Sequence, residues 1–392
     1  MWILTGMAIR MGQRLLATAP PQKTAASVKN AGDTCIDMSN KTDKPGSAEL
    51  PSFFDTQMRL RVWWQIVLID GRVTQLAGQA RNYSGDAPDY PLPANLSDSD
   101  ISPQMTNAPP SISDRPTEMV FCILRYEMGK FLFAKGSVLH DPASTMAERD
   151  ALIDDIDKYF EEKYLVHLDR AIPLHQIAKA GAKAAILKMR LMVHHPGQYP
   201  DKGKSMPQAE HDMLFRLSVE MVSILVLGFT TMHIGPFRWH TDVYFQLDAV
   251  VFMLIESQTQ DPFDEQVDKA WSHVASVLLH KPHLVREQDE LGRAVRQLIL
   301  RAWDSRERRA RQLAPDKASP TPPGLVADVL AELRQQKRAQ QKQPQQPQQP
   351  SKQIASGSLD ASPFNDMDVL GWETTDWDSW GYWSTLLQSQ SA

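Results

Sequence analysis

Cysteine is scarce: the 392 residues hold two, Cys35 and Cys122. Two thiols exclude a disulfide framework and any cysteine-rich zinc site, and they fit a reducing compartment. An excess of charge is also missing. A formal net charge of −5 gives no reason for whole-chain attraction to nucleic acid or to a membrane surface. No long hydrophobic run is present. The longest uncharged stretch, 221–237, is interrupted by His233, Gly235 and Pro236 and falls short of the ~20 apolar residues of a spanning helix. It reads as a buried core helix, so no membrane partner is expected.

The motifs of catalysis are missing as well. There is no GxGxxG, no GxSxG and no HExxH. Gly203-Lys204-Ser205 ends like a phosphate-binding loop, but that motif needs glycine where Gln198 stands, and Pro200 intrudes. Eleven histidines form no convincing ligand set. His273, His280 and His283 come nearest, yet His280 and His283 flank Lys281-Pro282 at a helix end, and His194-His195 precede Pro196 at another. The expectation is no catalytic residue, no cofactor-binding residue, no metal ligand in this chain, and no enzyme activity. Sustained β-alternation bounded by turn pairs is absent too, which points to an all-α fold of about nine or ten helices.

What is present is helical periodicity. In MRLRVWWQIVLIDGRVTQLAG (58–78), Leu60, Trp63, Trp64, Val67 and Leu68 form one stripe, and Val62, Ile66, Ile69 and Val73 a second. A helix apolar nearly all round belongs inside a larger fold, and Asp70 and Arg72 then need partners. At the N-terminus, Arg10, Arg14, Lys23 and Lys29 precede any acid, as in a transit peptide. Ile3, Met7, Arg10, Met11 and Leu15 instead follow helical spacing, and the core-helix reading is preferred.

Two irregular stretches, 19–51 and 81–116, read as loops from their Pro, Ser, Asn and Asp content. Thr145 and Glu148 have capping-box spacing and predict a helix from about Met146. Pro173 opens another helix, which His194-His195-Pro196-Gly197 stops. Further helices are expected over 207–232, over 237–257, from Phe263 to His280 behind Asp261-Pro262, and over 284–311. Residues 1–311 therefore form the helical domain. Residues 312–358 read as a low-complexity Pro/Gln linker, within which 325–338 suits a short exposed helix. The tail, 359–392, holds six acids, no Lys, Arg or His, and four tryptophans: Trp372, Trp377, Trp380 and Trp383. Acidic-hydrophobic alternation is the composition of activation segments, whose rings dock into a partner's groove. The other reading is a short tail helix, capped at Thr375, that packs back on its own domain. The basic run Arg306, Arg308, Arg309 and Arg311 reads either as a complement to a helix C-terminus or as a nuclear-import or nucleic-acid patch.

Taken in order, several segments resemble the fungal-specific transcription factor domain of Zn2Cys6 zinc-cluster regulators: GMAIRMGQRL, the double-tryptophan helix, YPLPANLSDSDISPQM, TEMVFCILRYEMGKFL, FRWHTDVYFQLDAVVFMLIE and the DWDSW-type tail. The resemblance spans roughly residues 1–310. It implies a large all-α regulatory domain, a nuclear location, recruitment of transcription machinery through the tail, and homo- or hetero-dimerisation. The family reads DNA through six cysteines holding two zinc ions. With two cysteines this chain cannot build that module and begins inside the family's domain, so zinc and DNA are expected only through a missing upstream module or a partner. The alternatives are a non-DNA-binding protein that hetero-dimerises with an intact regulator, or an enzyme or ligand carrier on the same helical fold.

Overall fold

The computed structural model describes residues 2–17, 51–76, 90–109, 115–141, 143–199, 201, 203, 205–285 and 290–342. Among them are eleven α-helices and no β-strand. The helices build three apolar clusters in chain order.

The first cluster holds α1 (Trp2–Ala17), α2 (Phe53–Leu76) and the start of α3 (Val120–His140), with Trp63 and Trp64 at its centre. Burying an indole of this size contributes roughly 4 kcal/mol as an upper figure. The loop over 90–109 is strapped across α2. Tyr90 meets Trp63 edge-on at 5.4 Å, and the Trp64 indole donates to the Pro91 carbonyl at 3.1 Å. Gln57 accepts from the Ala94 amide at 2.7 Å, while Arg61 reaches Asp98 at 2.8 Å. The prolines thus serve a strap whose polar groups are satisfied by α2 side chains.

The two stripes of α2 part company. Leu60, Trp63, Trp64 and Val67 of the first are buried, together with Val73 of the second, whereas Val62 and Ile69 of the second are 46% and 52% exposed. The helix therefore has an outer face, contrary to the all-round burial expected. α1 corrects a second expectation. Ile3 and Met11 of the anticipated core stripe are 71% and 63% exposed, and Met7 and Leu15 are exposed as well. The buried face is Thr5, Gly6, Ile9, Gly12 and Leu16. Its small residues allow close approach: a Cβ on Gly12 would lie 2.8 Å from the Trp63 ring.

The second cluster joins α3, α4 (Met146–Lys163) and α5 (Pro173–Val193) through Ile153, Ile156, Phe160, Ile186 and Met189. The capping box at the start of α4 is formed as the spacing predicts. The Glu148 amide donates to Thr145 Oγ1 at 3.2 Å, and the Thr145 amide to Glu148 Oε2 at 2.8 Å. The Thr145 amide and hydroxyl both donate to the Glu148 carboxylate and hold its pKa below the usual value. Pro173 sits in the first turn of α5.

The third cluster takes α6 (Gln208–Thr230), α8 (Leu247–Glu256), α9 (Glu265–His280), α10 (Glu290–Leu313) and α11 (Leu325–Lys342). Trp271 and Trp303 meet edge-on at 4.8 Å in its centre. Among the described residues, α6 is the one helix with the length and hydropathy of a membrane span. Half of that window is buried, with Leu214, Phe215, Val219, Met221 and Val222 in the core.

Three differences from the sequence reading stand out. The helix expected over 237–257 is broken into α7 (Arg238–Val243) and α8, with Gln246 extended between them and held by Lys188 Nζ at 2.9 Å. The cap of α9 is Asp264, which accepts from the Gln266 amide at 2.8 Å, while Asp261 caps the preceding turn. The helix expected to be exposed after residue 325 is docked. Val326, Leu330 and Leu333 of α11 enter the third cluster, and Arg334 pairs with Asp304 and Glu307 of α10. The helical body therefore continues past 311. Most of 19–51, the expected linker beyond 342 and the whole tail lie outside the described residues.

Candidate functional site

A cavity of about 180 Å³ lies where α2, α3 and α5 meet the junction between α7 and α8. It exists because the surrounding helices present little side chain there. Ala178, Gly181, Ala182 and Ala185 recur at i, i+3, i+4 and i+7 on α5, and Gly71 and Gly129 face the same space from α2 and α3. A Cβ built on Gly71 or Gly181 meets no atom within 4 Å. Neither glycine is needed for close packing, and neither has positive φ. Apolar walls come from Phe121, Leu124, Leu132 and Phe133. For scale, a dry engineered cavity of about 150 Å³ holds a benzene ring.

The polar lining is cationic and aromatic: Arg72, Arg125, His240, Tyr244 and Gln246. Arg125 is half-buried; it donates to the Tyr244 hydroxyl at 2.9 Å and lies over the rings of Phe121 and Tyr244 at 5.4 and 5.6 Å. Arg72 also lies near this aromatic group, 5.7 Å from the Tyr244 ring. His240 packs against Phe121 at 5.0 Å and Tyr244 at 4.5 Å. Burial, with the nearby Arg125 charge acting in the same direction, lowers its pKa to about 4. The ring is therefore neutral at ordinary pH. Its Nδ1 is buried without a hydrogen-bond partner.

The four tail tryptophans, Trp372, Trp377, Trp380 and Trp383, lie outside the described residues. The arginine run is split by the structure. Arg308 and Arg311 are exposed, and Arg311 makes an i,i+4 pair with Glu307 at 3.6 Å. Arg306 points inward. Its guanidinium donates to the Pro262 carbonyl at 3.0 and 2.7 Å, pairs with Asp268 and lies 5.2 Å over Trp303. It ties the start of α9 to α10 and is not part of an accessible basic surface.

The histidines are used in packing and bonding. His194 joins three helices, with Nδ1 2.8 Å from Glu210 and Nε2 3.0 Å from Asp150. His195 accepts from the Gly197 amide through Nδ1 at 2.7 Å. His273 meets Ser223 at 2.7 Å, and His280 donates to the Ser276 carbonyl at 2.8 Å. No group of three or more His, Cys, Asp or Glu able to hold a metal occurs among the described residues. Cys122 is half-buried on α3, with Gln65 3.8 Å away, and Cys35 lies outside the described residues. Two cysteines do not fit the six-thiolate zinc module.

Sequence reasoning missed the cavity. Its one signal is the small-residue register of IAKAGAKAA in α5, and the residues facing it come from five helices far apart in the chain.

The chain is similar to fungal transcription factors. It is 32% identical over 317 residues to the aurofusarin cluster transcription factor aurR2 of Gibberella zeae, covering 79% of this chain and 43% of that protein. It is 24% identical to the transcriptional regulator AacuB of Aspergillus aculeatus, over 72% of this chain and 39% of the relative. It is 23% identical to the C6 finger domain transcription factor nscR of Aspergillus fumigatus, over 64% and 34%. The chain thus spans less than half the length of each of these relatives. No family model matches the chain, and no solved structure matches it.

Proposed function

We propose that this chain is the regulatory part of a fungal transcription regulator of the zinc-cluster type. The observation that carries the reading is the likeness to aurR2 over 79% of the chain, and the ordered family-like segments along an all-α body support it. The helical body restrains or tunes activity, and the acidic-aromatic tail recruits transcription machinery through Trp372, Trp377, Trp380 and Trp383. The site of action is the nucleus. DNA is reached through a zinc-cluster module outside these residues or through a partner, because two cysteines cannot supply that module. Catalysis has no part in the reading.

The tail assignment is tested by fusing residues 359–392 to an unrelated DNA-binding module upstream of a reporter. Activation that falls when the four tryptophans become alanine is expected. No activation, or activation indifferent to those substitutions, overturns it.

A further inference from the structure

We propose that the cavity between α2, α3, α5 and the α7–α8 junction is a binding site for a small aromatic monoacid. A single ring with a short apolar extension lies against Phe121 and Leu132, and its carboxylate meets the guanidinium of Arg125. The inference goes beyond the transcriptional reading and stands on the cavity alone.

Room is the first argument. The pocket is half-open, and its inner walls forfeit contacts that a filled site would have. Here the void is kept open by residues that packing does not demand. A Cβ at Gly71 or Gly181 meets nothing within 4 Å, although glycine inside a helix is unfavourable relative to alanine. At about 180 Å³ the space suits one ring with a short substituent.

Charge is the second argument. Among the described residues no carboxylate lies within salt-bridge distance of Arg125; its partners are a hydroxyl and two ring faces. A guanidinium carries five N–H donors in a planar fork that matches a carboxylate in two-point contact. A half-buried cation beside an apolar void is incompletely served by π-faces. An anion in the void would complete its coordination.

His240 sharpens the choice. It is held neutral, so the charge that an acid group meets is that of the arginines, Arg125 with Arg72 on the same lining, and its buried Nδ1 has no hydrogen-bond partner. A polar oxygen of the ligand near His240 or the Tyr244 hydroxyl would find a partner there. A hydrocarbon would leave the Arg125 charge further desolvated, and a strongly polar dianion would lose its hydration against Leu124, Leu132 and Phe133. One ring and one acid group match the lining.

The test uses the purified full chain and two probes of one shape, para-ethylbenzoate and para-ethylbenzyl alcohol, titrated by ligand-observed NMR. The acid is expected to bind at least about tenfold more tightly than the alcohol, as a charge-assisted hydrogen bond implies. Arg125→Met should remove most of the acid's advantage while leaving the alcohol unchanged, with Arg72 on the same lining holding what remains. Gly181→Leu fills the void and should abolish binding of both without lowering the melting temperature. This variant decides the matter if Arg125→Met does not fold. Equal affinity for acid and alcohol, no binding of either, or binding unchanged in Gly181→Leu would overturn the proposal.

Discussion

Replacing Arg306 with alanine separates a structural arginine from an accessible basic patch. Its guanidinium donates twice to the Pro262 carbonyl, at 3.0 and 2.7 Å, and its side chain is 3% exposed. Losing charge-assisted bonds to a buried carbonyl costs about 1.5–3 kcal/mol. Loss of the contact over the Trp303 ring adds roughly 0.5–1 kcal/mol. Asp268 is 66% exposed and resolvates, so the ion pair adds at most ~1 kcal/mol. The sum is about 2–5 kcal/mol, large against the stability of a typical domain. Arg308→Ala and Arg311→Ala, on the exposed face of the same helix, should stay within ~0.5 kcal/mol of wild type. Urea unfolding followed by far-UV circular dichroism compares the three. Arg306→Lys should recover only part of the loss, because an ammonium cannot reproduce the planar fork. The reasoning is refuted if Arg306→Ala unfolds at the same urea concentration as Arg308→Ala.

Three further predictions follow from the same geometry. Gly12→Ala should destabilise the packing of α1 on α2, by about 1–2 kcal/mol net of the helix propensity gained, because its Cβ would sit 2.8 Å from Trp63. Gly181→Ala, open on all sides, should stabilise by about 0.5–1 kcal/mol; parallel denaturant titrations showing the same sign for both would contradict this account. Thr145→Ala removes the cap of α4 and should cost about 1 kcal/mol in the same assay. A fifth prediction concerns acid. Burial lowers the His195 pKa from its ordinary 6.5 to about 4, and the Gly197 amide donating to Nδ1 requires the unprotonated nitrogen. The folded-state value lies below the unfolded one, so this contribution is intact above pH 6.5 and is lost as pH falls toward 4. The loss is up to about 3 kcal/mol. His195→Gln should flatten the fall in urea midpoint between pH about 7 and about 4.5, and an unchanged slope would count against it.

Much of the helical architecture was legible because its signals are local. The Thr145–Glu148 box, Pro173 at a helix start and the Pro196-Gly197 stop each fix a boundary through nearby backbone chemistry. Facing was less legible. α1 offers two stripes, and the more apolar one stays outside, because Gly12 lets the other lie flat on Trp63. The break before α8 was hidden in a continuous apolar pattern, since the bond from Lys188 to Gln246 is a long-range one. α11 was misjudged for a similar reason: its sequence is mostly polar, and four residues, Val326, Val329, Leu330 and Leu333, suffice to dock it. The cavity was least legible. A void is made by what side chains omit, and small residues at helical spacing look the same in sequence whether a neighbour fills the gap or not.

Transcription itself is the most direct test of the central claim. The full chain is tethered through an unrelated DNA-binding module beside a reporter, and reporter RNA is quantified against the module alone. The account predicts RNA above the module's level, falling when Trp372, Trp377, Trp380 and Trp383 are replaced together by alanine. Reporter RNA indistinguishable from the module alone, with the fusion present in the nucleus, would contradict it.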